Sequence, residues 1–300
     1  MQITIGIPSY NEEKSIRSLL EVLEQQITDS DHTIGEIIIS DDSTDATPDR
    51  VNDFARSSKL NITLIQHNKR IGVAGAWNEI FRNAKGDAIV LYDADVLPSK
   101  NTTLLLASNI RDDTALCASN PMPIRKNNGI AAKASSFNAL WLRRVRKHGL
   151  SQYTVIGRAL SIRADIAKMV TVPDVIAIDL YLQCKVLELG YKINYSDDAV
   201  VWFKPTDTML DFSSQVVRAI QGHSQIKKYV ERFDIKLPLS LVIKETLKEA
   251  SRVPKGMMAA AVAYCTLPLY ISSIAKHLKT SSWHVADSTK GISVSDLSNQ

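Results

Sequence analysis

The sequence contains few cysteines. Cys117, Cys184 and Cys265 are scattered, odd in number and without C-x-x-C spacing. Such a set excludes a disulfide framework and indicates a reduced, cytosolic chain. No basic segment or apolar run precedes the first predicted strand, residues 3–7, so we expect no cleaved signal peptide.

Two common nucleotide-binding signatures are also missing. No G-x-G-x-x-G follows the first predicted strand, which argues against a dinucleotide site, and the absence of G-x-x-x-x-G-K-S/T disfavours a P-loop NTPase. A net charge of +4 at pH 7 is only mildly basic, so charge gives no reason to expect a nucleic-acid partner. The 300-residue chain is long enough for one α/β domain with an appendage, or for two small domains.

The segment 86–97 carries the most informative chemistry. Residues 88–92 form a short apolar run that predicts a buried strand, and Asp93-Ala94-Asp95 follows it directly. Two carboxylates one residue apart suit a hard divalent cation, Mg²⁺ or Mn²⁺, whose shell phosphate oxygens often complete. Alternatively, the aspartates only cap a turn before a helix near Ser99.

Strand patterns alternate with helical patterns along the first hundred residues. Residues 3–7, 36–40, 61–66 and 88–92 are predicted strands, and a helix is predicted over 73–84. This alternation is typical of an α/β protein with a parallel sheet and right-handed crossovers.

Polar side chains follow these strands, at the sheet edge where ligands bind in such folds. The rim set is Tyr10, Glu12, Asp41, Arg70, Asp93 and Asp95. Asp41 can accept from a nucleobase N–H, while Arg70 and a metal on the acidic pair can neutralise a diphosphate. The set predicts a nucleoside-diphosphate site. Taken singly, Glu12 and Asp41 could be helix caps and Arg70 a solvated loop charge.

Four segments together resemble the GT-A family 2 glycosyltransferases: 7–13 (IPSYNEE), 40–45 (SDDSTD), 68–78 and 86–95. Their order and spacing extend the resemblance over about residues 1–220. It implies a GT-A fold, Rossmann-like with a mostly parallel sheet flanked by helices. It also implies metal ligation by Asp93 and Asp95, and a nucleotide pocket formed by Pro8, Tyr10, Glu12, Asp41, Arg70 and Asp93.

Asp179 precedes an apolar helical pattern that ends at Gly190. One interpretation is a structural N-cap. The position also resembles the catalytic aspartate of the family, usually written Glu-Asp and here Ile178-Asp179. The resemblance implies that Asp179 is the general base of an inverting displacement.

Residues 208–230 are predicted to form an amphipathic helix, with Gln215, Arg218, Gly222 and Gln225 along one side. A solvated polar face would explain them. The stretch also resembles the Gln-x-x-Arg-Trp element that closes over donor and acceptor. Ala219 replaces the Trp of processive synthases, which favours transfer of a single sugar.

The remaining part of this region is less regular. A basic run, residues 143–148, indicates either a solvated helix face or contact with an anionic acceptor or acidic membrane. Further strands are predicted at 114–119, 155–162 (with Gly157), 192–195 and 199–203.

The C-terminal region differs in composition. Lys244, Lys248 and Arg252 form a stripe at intervals of four, and residues 256–275 carry no charge. The uncharged stretch could be a weak spanning helix, an interfacial helix, or a helical pair packed on the preceding domain. Trp283 with residues 288–290 resembles the tail of membrane-attached family members, and 291–300 are expected to form a mobile tail.

We therefore predict a catalytic domain over 1–235, with a nucleotide-sugar half at about 1–120 and an acceptor half at 121–235. Residues 236–300 would form a helical, membrane-associated appendage. The expected activity is metal-dependent, inverting transfer from a UDP- or GDP-sugar to a lipid-linked or glycan acceptor at the cytoplasmic membrane face. The alternatives are a sugar nucleotidyltransferase, which needs a basic Gly-rich loop after the first strand, and a non-catalytic sugar-nucleotide-binding module.

Overall fold

The computed structural model describes residues 1–124, 129–148, 158–233, 237–275 and 287–297. In these residues the strands are β1 (Gln2–Ser9), β2 (Thr33–Asp41), β3 (Ile62–Gln66), β4 (Ala88–Tyr92), β5 (Val96–Pro98), β6 (Thr114–Pro123), β7 (Ala159–Arg163) and β8 (Lys192–Phe203). The helices are α1 (Ile16–Glu24), α2 (Thr47–Ala55), α3 (Gly72–Asn83), α4 (Thr102–Ser108), α5 (Ile130–Arg146), α6 (Ala164–Met169), α7 (Ile178–Glu188), α8 (Met209–Gln225), α9 (Lys227–Val230), α10 (Leu239–Arg252), α11 (Pro254–Thr266) and α12 (Pro268–Ala275). Short 3₁₀ turns lie at Glu231–Phe233, Asp287–Thr289 and Val294–Leu297.

The strands form one mixed sheet in the order β3-β2-β1-β4-β7-β6-β8-β5. The first four strands of this order are mutually parallel, as are β6 and β8. Strand β7 runs antiparallel to both of its neighbours, and β5 runs antiparallel to β8. The α/β class is confirmed, and the carboxyl ends of β1, β2 and β4 meet at one edge.

Helices cover both faces of the sheet, so its central strands are buried on both sides. Ile5 and Ile7 of β1 pack in one core with Leu20 of α1. On the other face, a Cβ on Gly6 would lie 2.5 Å from Ile80 of α3, so this glycine allows the helix to approach closely. The apolar spacing of α1 and α3 in the sequence fixes which side of each helix faces the sheet.

The predicted elements differ from the observed ones at three places in the chain. The two strands predicted at 192–195 and 199–203 are one strand, β8, because the register along β6 shifts between Ala118 and Asn120 without interrupting the pairing. The helix predicted at 208–230 divides into α8 and α9 at Ile226. Within the strand predicted at 155–162, β7 begins at Ala159, and Gly157 lies outside the described residues.

The uncharged stretch 256–275 forms two short helices, α11 and α12. Ala259, Ala260 and Ala263 of α11 pack against Phe137 of α5 and Phe212 of α8. The stretch is therefore a helical pair on the preceding domain, one of the three predicted arrangements. Across the described ranges, every helix is too short or too polar to span a bilayer.

The expectation of a mobile tail is wrong for residues 291–297. Ile292 is fully buried in a cluster with Val22, Leu97 and Ile124. The Gly291 N–H donates to Ser15 Oγ at 2.9 Å. Apolar burial and this hydrogen bond hold the segment on the domain; Trp283 lies outside the described residues.

Candidate active site

An acidic pair follows β4 at the carboxyl edge of the sheet. Asp93 and Asp95 are both half-buried there. The Asp93 N–H donates to the Arg158 carbonyl at 2.8 Å, and Arg158 Nη1 lies 4.0 Å from Asp95 Oδ1. The guanidinium of Arg158 stacks on Phe203, 3.9 Å from the ring centroid. Arg158 therefore contacts the pair twice: its carbonyl accepts from the Asp93 backbone, and its guanidinium lies beside the Asp95 carboxylate.

Sequence reasoning missed Arg158, because the residue fell inside a predicted strand. Its backbone instead has a φ of +71°, in the left-handed region that is unusual for arginine. This conformation lies immediately before β7, where the chain leaves the regular ladder. No pattern in the sequence marks that change.

The carboxylates of this region affect one another electrostatically. Burial, followed by the charge of Asp95, raises the pKa of Asp93 to about 6; Asp179 adds to this effect, while Arg158 and Arg218 oppose it. Burial lowers the pKa of Arg218, and the same three aspartates partly offset that change. Residues from four distant segments thus share one charged site.

Glu12 faces the same site from the loop after β1. Its side chain is buried, and burial together with the charge of Asp95 raises its pKa to about 8. The Ser15 and Ile16 amides bond to the Glu12 backbone carbonyl, both at 2.9 Å. Glu12 thus meets the start of α1 through its main chain, while its carboxyl adds to the acidic site.

Tyr10 and Arg70 lie together at the rim. The guanidinium of Arg70 stacks on Tyr10, 3.7 Å from the ring centroid, so Arg70 is more than a solvated loop charge. Pro8, near the end of β1, pairs in register with Ser40. The Asn11 side chain accepts from the Thr44 N–H at 2.8 Å, which fastens this loop to the one after β2.

Asp41 is placed beneath the rim. It is fully buried, and its Oδ1 accepts from the hydroxyls of Ser9 and Ser43. These bonds join the ends of β1 and β2 and position the loops above them. A direct contact between Asp41 and a nucleobase stays a prediction.

A second buried network, which sequence reasoning did not identify, holds the loop that carries Arg70. Asp42 Oδ2 accepts from the Ile71 and Gly72 amides at 3.0 and 2.8 Å, at the start of α3. Its Oδ1 lies 3.0 Å from His67 Nδ1, and His67 Nε2 lies 3.0 Å from Glu79 Oε2. In the sequence, only the adjacent pair Asp41-Asp42 could have indicated this network.

Asp179 lies in the first turn of α7, nearly buried. The N-cap of α7 is Ala177, so Asp179 is not the N-cap. Its Oδ1 accepts from the Leu180 N–H at 2.9 Å. Arg146 of α5 is buried, and burial lowers its pKa while the charge of Asp179 opposes that change.

Helix α8 supports the segment before Asp179. Gln225 accepts from the Ile176 N–H at 2.8 Å, and a Cβ on Gly222 would lie 2.8 Å from Ala177. The predicted polar side of this helix therefore faces the domain at these two positions. Gln215 and Arg218 are half-buried on the same helix.

The basic run at 143–148 is ion-paired rather than simply solvated. Asp197 accepts two bonds from Arg143, both at 2.8 Å, and one from Lys147. Arg144 contacts Glu249 and Glu245 of α10. A groove of about 290 Å³ lies here, lined by Leu140, Arg143, Arg144, Lys147, Glu249 and Arg252.

A sequence model of the family described as Glycosyl transferase family 2 matches residues 4–168, more than half of the chain. The chain is 25% identical over 243 residues to the probable glycosyltransferase YdaM of Bacillus subtilis, covering 77% of this chain and 58% of YdaM. It is 24% identical over 232 residues to the poly-β-1,6-N-acetyl-D-glucosamine synthase of Staphylococcus aureus, covering 75% and 55%. The chain thus spans little more than half the length of these relatives.

Two solved structures are similar in fold. One is the mannosyltransferase PcManGT from Pyrobaculum calidifontis in complex with GDP-Man and Mn²⁺, with a TM-score of 0.60 at 21% identity over 91% of this chain and 79% of that one. The other is S. aureus TarS in complex with UDP-GlcNAc, with a TM-score of 0.51 at 16% identity over 92% and 91%. These similarities confirm the predicted GT-A architecture.

Proposed function

Because the chain belongs to glycosyl transferase family 2, we propose that it transfers a single sugar from a nucleoside-diphosphate sugar, with inversion at the anomeric carbon. The observation that carries this proposal is the common electrostatic site of Asp93, Asp95, Asp179 and Arg218. The family match ends at residue 168 and includes neither Asp179 nor Arg218. The roles proposed for these two residues therefore depend on their position beside Asp93 and Asp95 in the structure.

The donor would bind along the edge formed by β1, β2 and β4. Tyr10 and the stacked Arg70 offer an aromatic face and a fixed cation, which suit a base and a diphosphate. PcManGT was captured with GDP-Man and TarS with UDP-GlcNAc, which supports a UDP- or GDP-sugar here. Pro8, Glu12 and the buried Asp41 would shape this pocket.

The residues present fit a divalent cation that is shared with the donor. Burial and neighbouring negative charge raise the pKa of Asp93, so a cation beside Asp95 would relieve that repulsion. Within the described ranges, no group of three or more His, Cys, Asp or Glu side chains is arranged to hold a metal ion alone. Two carboxylates completed by phosphate oxygens and water match Mg²⁺ or Mn²⁺, and the PcManGT complex contains Mn²⁺.

Asp179 would act as the general base. A direct displacement needs one carboxylate to take the proton from the acceptor hydroxyl while the nucleoside diphosphate departs. A bound cation would stabilise the charge on that leaving group. Arg158 and Arg218 add positive charge at the same site, and Gln215 would help α8 close over donor and acceptor.

The acceptor would be lipid-linked or a glycan, reached at the cytoplasmic face of a membrane. The free thiols of Cys117, Cys184 and Cys265 agree with a reducing compartment. Ala219, in place of a bordering Trp, supports transfer of one sugar per acceptor. In this proposal residues 1–235 form the catalytic domain and the C-terminal helices contact the membrane.

A thermal-shift panel tests the donor site. UDP, GDP, CDP, their sugars and the corresponding triphosphates would each be added with Mn²⁺ or with EDTA, to the wild type and to Asp95→Ala. Stabilisation by one nucleoside diphosphate, only with metal and only in the wild type, is expected. Stabilisation by a triphosphate alone would favour the nucleotidyltransferase, although the loop after β1 carries Glu12 and Glu13 instead of basic residues. Incubation of the stabilising donor with lipid-linked and glycan acceptors then tests transfer.

A further inference from the structure

Helix α10 is amphipathic, but it buries two charged residues and exposes apolar ones, the opposite of the usual arrangement on a soluble domain. Its glutamates Glu245 and Glu249 are only 2% and 4% exposed, and both contact Arg144. Its apolar residues Leu239, Ile243 and Leu247 are 72%, 52% and 65% exposed. A surface helix normally directs its apolar stripe into the core, so another surface is needed to cover these three side chains.

A basic stripe lies beside the apolar one. Lys244, Lys248 and Arg252 are exposed. Lys244 directly follows Ile243 in the chain, and Lys248 directly follows Leu247. At 100° per residue, the helix presents the apolar stripe, then the basic stripe, then the buried glutamates around its circumference. An apolar stripe flanked by lysine and arginine is the pattern of a helix that lies in the interface of an anionic bilayer.

The next two helices add to the exposed apolar surface. Met258 and Val262 of α11 and Leu269 and Ile271 of α12 are all exposed, whereas Ala259, Ala260 and Ala263 of α11 face the domain. These three alanines thus pack inward, whereas the four larger side chains point outward. Over the residues that the structure describes, neither helix is long enough to span a bilayer, so contact would be confined to the surface of the bilayer.

We propose that α10–α12 form a docking surface for anionic phospholipid, with α10 lying flat in the headgroup region. Basic residues near such a surface are attracted by its negative potential, and the apolar side chains enter the acyl boundary. Arg144 joins α10 to α5, and α5 also carries Arg146 near Asp179. Docking would hold the acceptor side of the site at the membrane. This inference deepens the proposed function. It rests on that function only where it says that docking holds the acceptor side at the membrane.

Co-sedimentation tests the surface directly. The full chain would be mixed with vesicles of phosphatidylcholine alone, or of phosphatidylcholine with phosphatidylglycerol. We expect binding to the mixed vesicles that weakens at high salt. Lys244→Gln/Arg252→Gln should reduce that binding about thirtyfold, since each basic residue contributes about 1 kcal/mol at an anionic surface. Ile243→Gln/Leu247→Gln should remove the vesicle binding that persists at high salt, because that binding comes from the apolar side chains.

The matched control is Lys168→Gln/Met169→Gln, which alters one exposed lysine and one exposed apolar residue on α6. It should bind vesicles like the wild type. The inference is overturned if wild type binds neither vesicle, binds both equally, or loses binding equally in the control. It is also overturned if Ile243→Gln/Leu247→Gln converts an oligomer to a monomer without changing vesicle binding, since a second copy would then cover the surface.

The donor-dependent thermal shift separates this inference from the proposed function. Both α10 variants alter exposed side chains, so each should keep the wild-type unfolding temperature and nucleotide stabilisation. A wild type that binds donor but no vesicle would refute the docking surface and leave the proposed transfer standing. A wild type that binds mixed vesicles but no nucleotide would support the docking surface and refute the proposed transfer.

Discussion

The ammonium group of Lys290 lies 3.6 Å from Oε1 of Glu12, at the edge of the sheet where β1, β2 and β4 end. It also donates to the backbone carbonyls of Tyr10, at 3.3 Å, and of Asn11. Lys290 is 280 residues from Tyr10 in the chain, yet only 10% of its side chain is exposed. Nearby, Ser288 contacts the Asp207 N–H and the Asp211 carboxylate at the start of α8. The C-terminal segment thus joins the loop after β1 to the start of α8.

Lys290→Ala should raise the KM for the donor about tenfold, since a hydrogen bond to a charged group contributes about 1.5 kcal/mol. The loop with Tyr10 and Glu12 would lose its fixed position while Asp179 stays in place, so kcat should change little. Lys290→Arg should restore most of the affinity. Steady-state kinetics with varied donor measure this, with the exposed Lys100→Ala as control. A fall in kcat at unchanged KM would show that Lys290 does not position the donor loop.

Asp179→Asn should lower the transfer rate at least about a hundredfold, because the amide cannot take the acceptor proton. Donor binding should persist, since Asp93 and Asp95 are unchanged. Transfer is measured by product formation, and binding by the metal-dependent thermal shift. Asp174→Asn, in the loop that precedes α7, is the matched control. Equal loss of binding and transfer would remove Asp179 from the role of base.

His67→Gln should destabilise the protein more at pH about 6 than at pH about 9. Burial lowers the pKa of His67, but Glu79 and Asp42 together raise it above its ordinary value of 6.5. A raised pKa in the folded state gives stability that is fully present below pH 6.5 and is lost as the pH rises through the folded-state value. Thermal unfolding across this pH range measures the effect. His32→Gln, beside the surface carboxylate of Asp29, is the control; a pH-independent loss in His67→Gln would contradict the ion-pair explanation.

Gly86→Ala should lower the free energy of unfolding by about 2–3 kcal/mol. A Cβ there would lie 2.7 Å from both the Gln2 carbonyl oxygen and the Thr4 amide nitrogen, and this backbone cannot move without disturbing β1. Gly35→Ala is the matched control, because the three atoms nearest to its Cβ would all belong to the flexible Gln2 side chain. Urea unfolding of both variants gives the comparison. Similar losses in the two would show that backbone contact is not the cause.

The local sequence pattern was sufficient to predict much of the first 120 residues. The predicted strand at 88–92 is β4, and the helix predicted over 73–84 is shifted by one residue from α3. Both segments are short and strongly periodic, so their burial follows from their own side chains. The C-terminal tail was misjudged because the partners of Ile292 lie far away in the chain.

The sequence by itself determined the α/β alternation, the acidic pair after β4, and the presence of Asp179 at a helix start, because each depends on neighbouring residues. Only the tertiary structure decided which groups surround them. It brought Arg158 to the acidic pair through a left-handed backbone, buried Asp41 under two hydroxyls, and placed Lys290 against the loop after β1. It also turned the glutamates of α10 inward, because Arg144 of α5 offers them opposite charge. Long-range pairing of charges has no period along the chain, so no local pattern could have shown it.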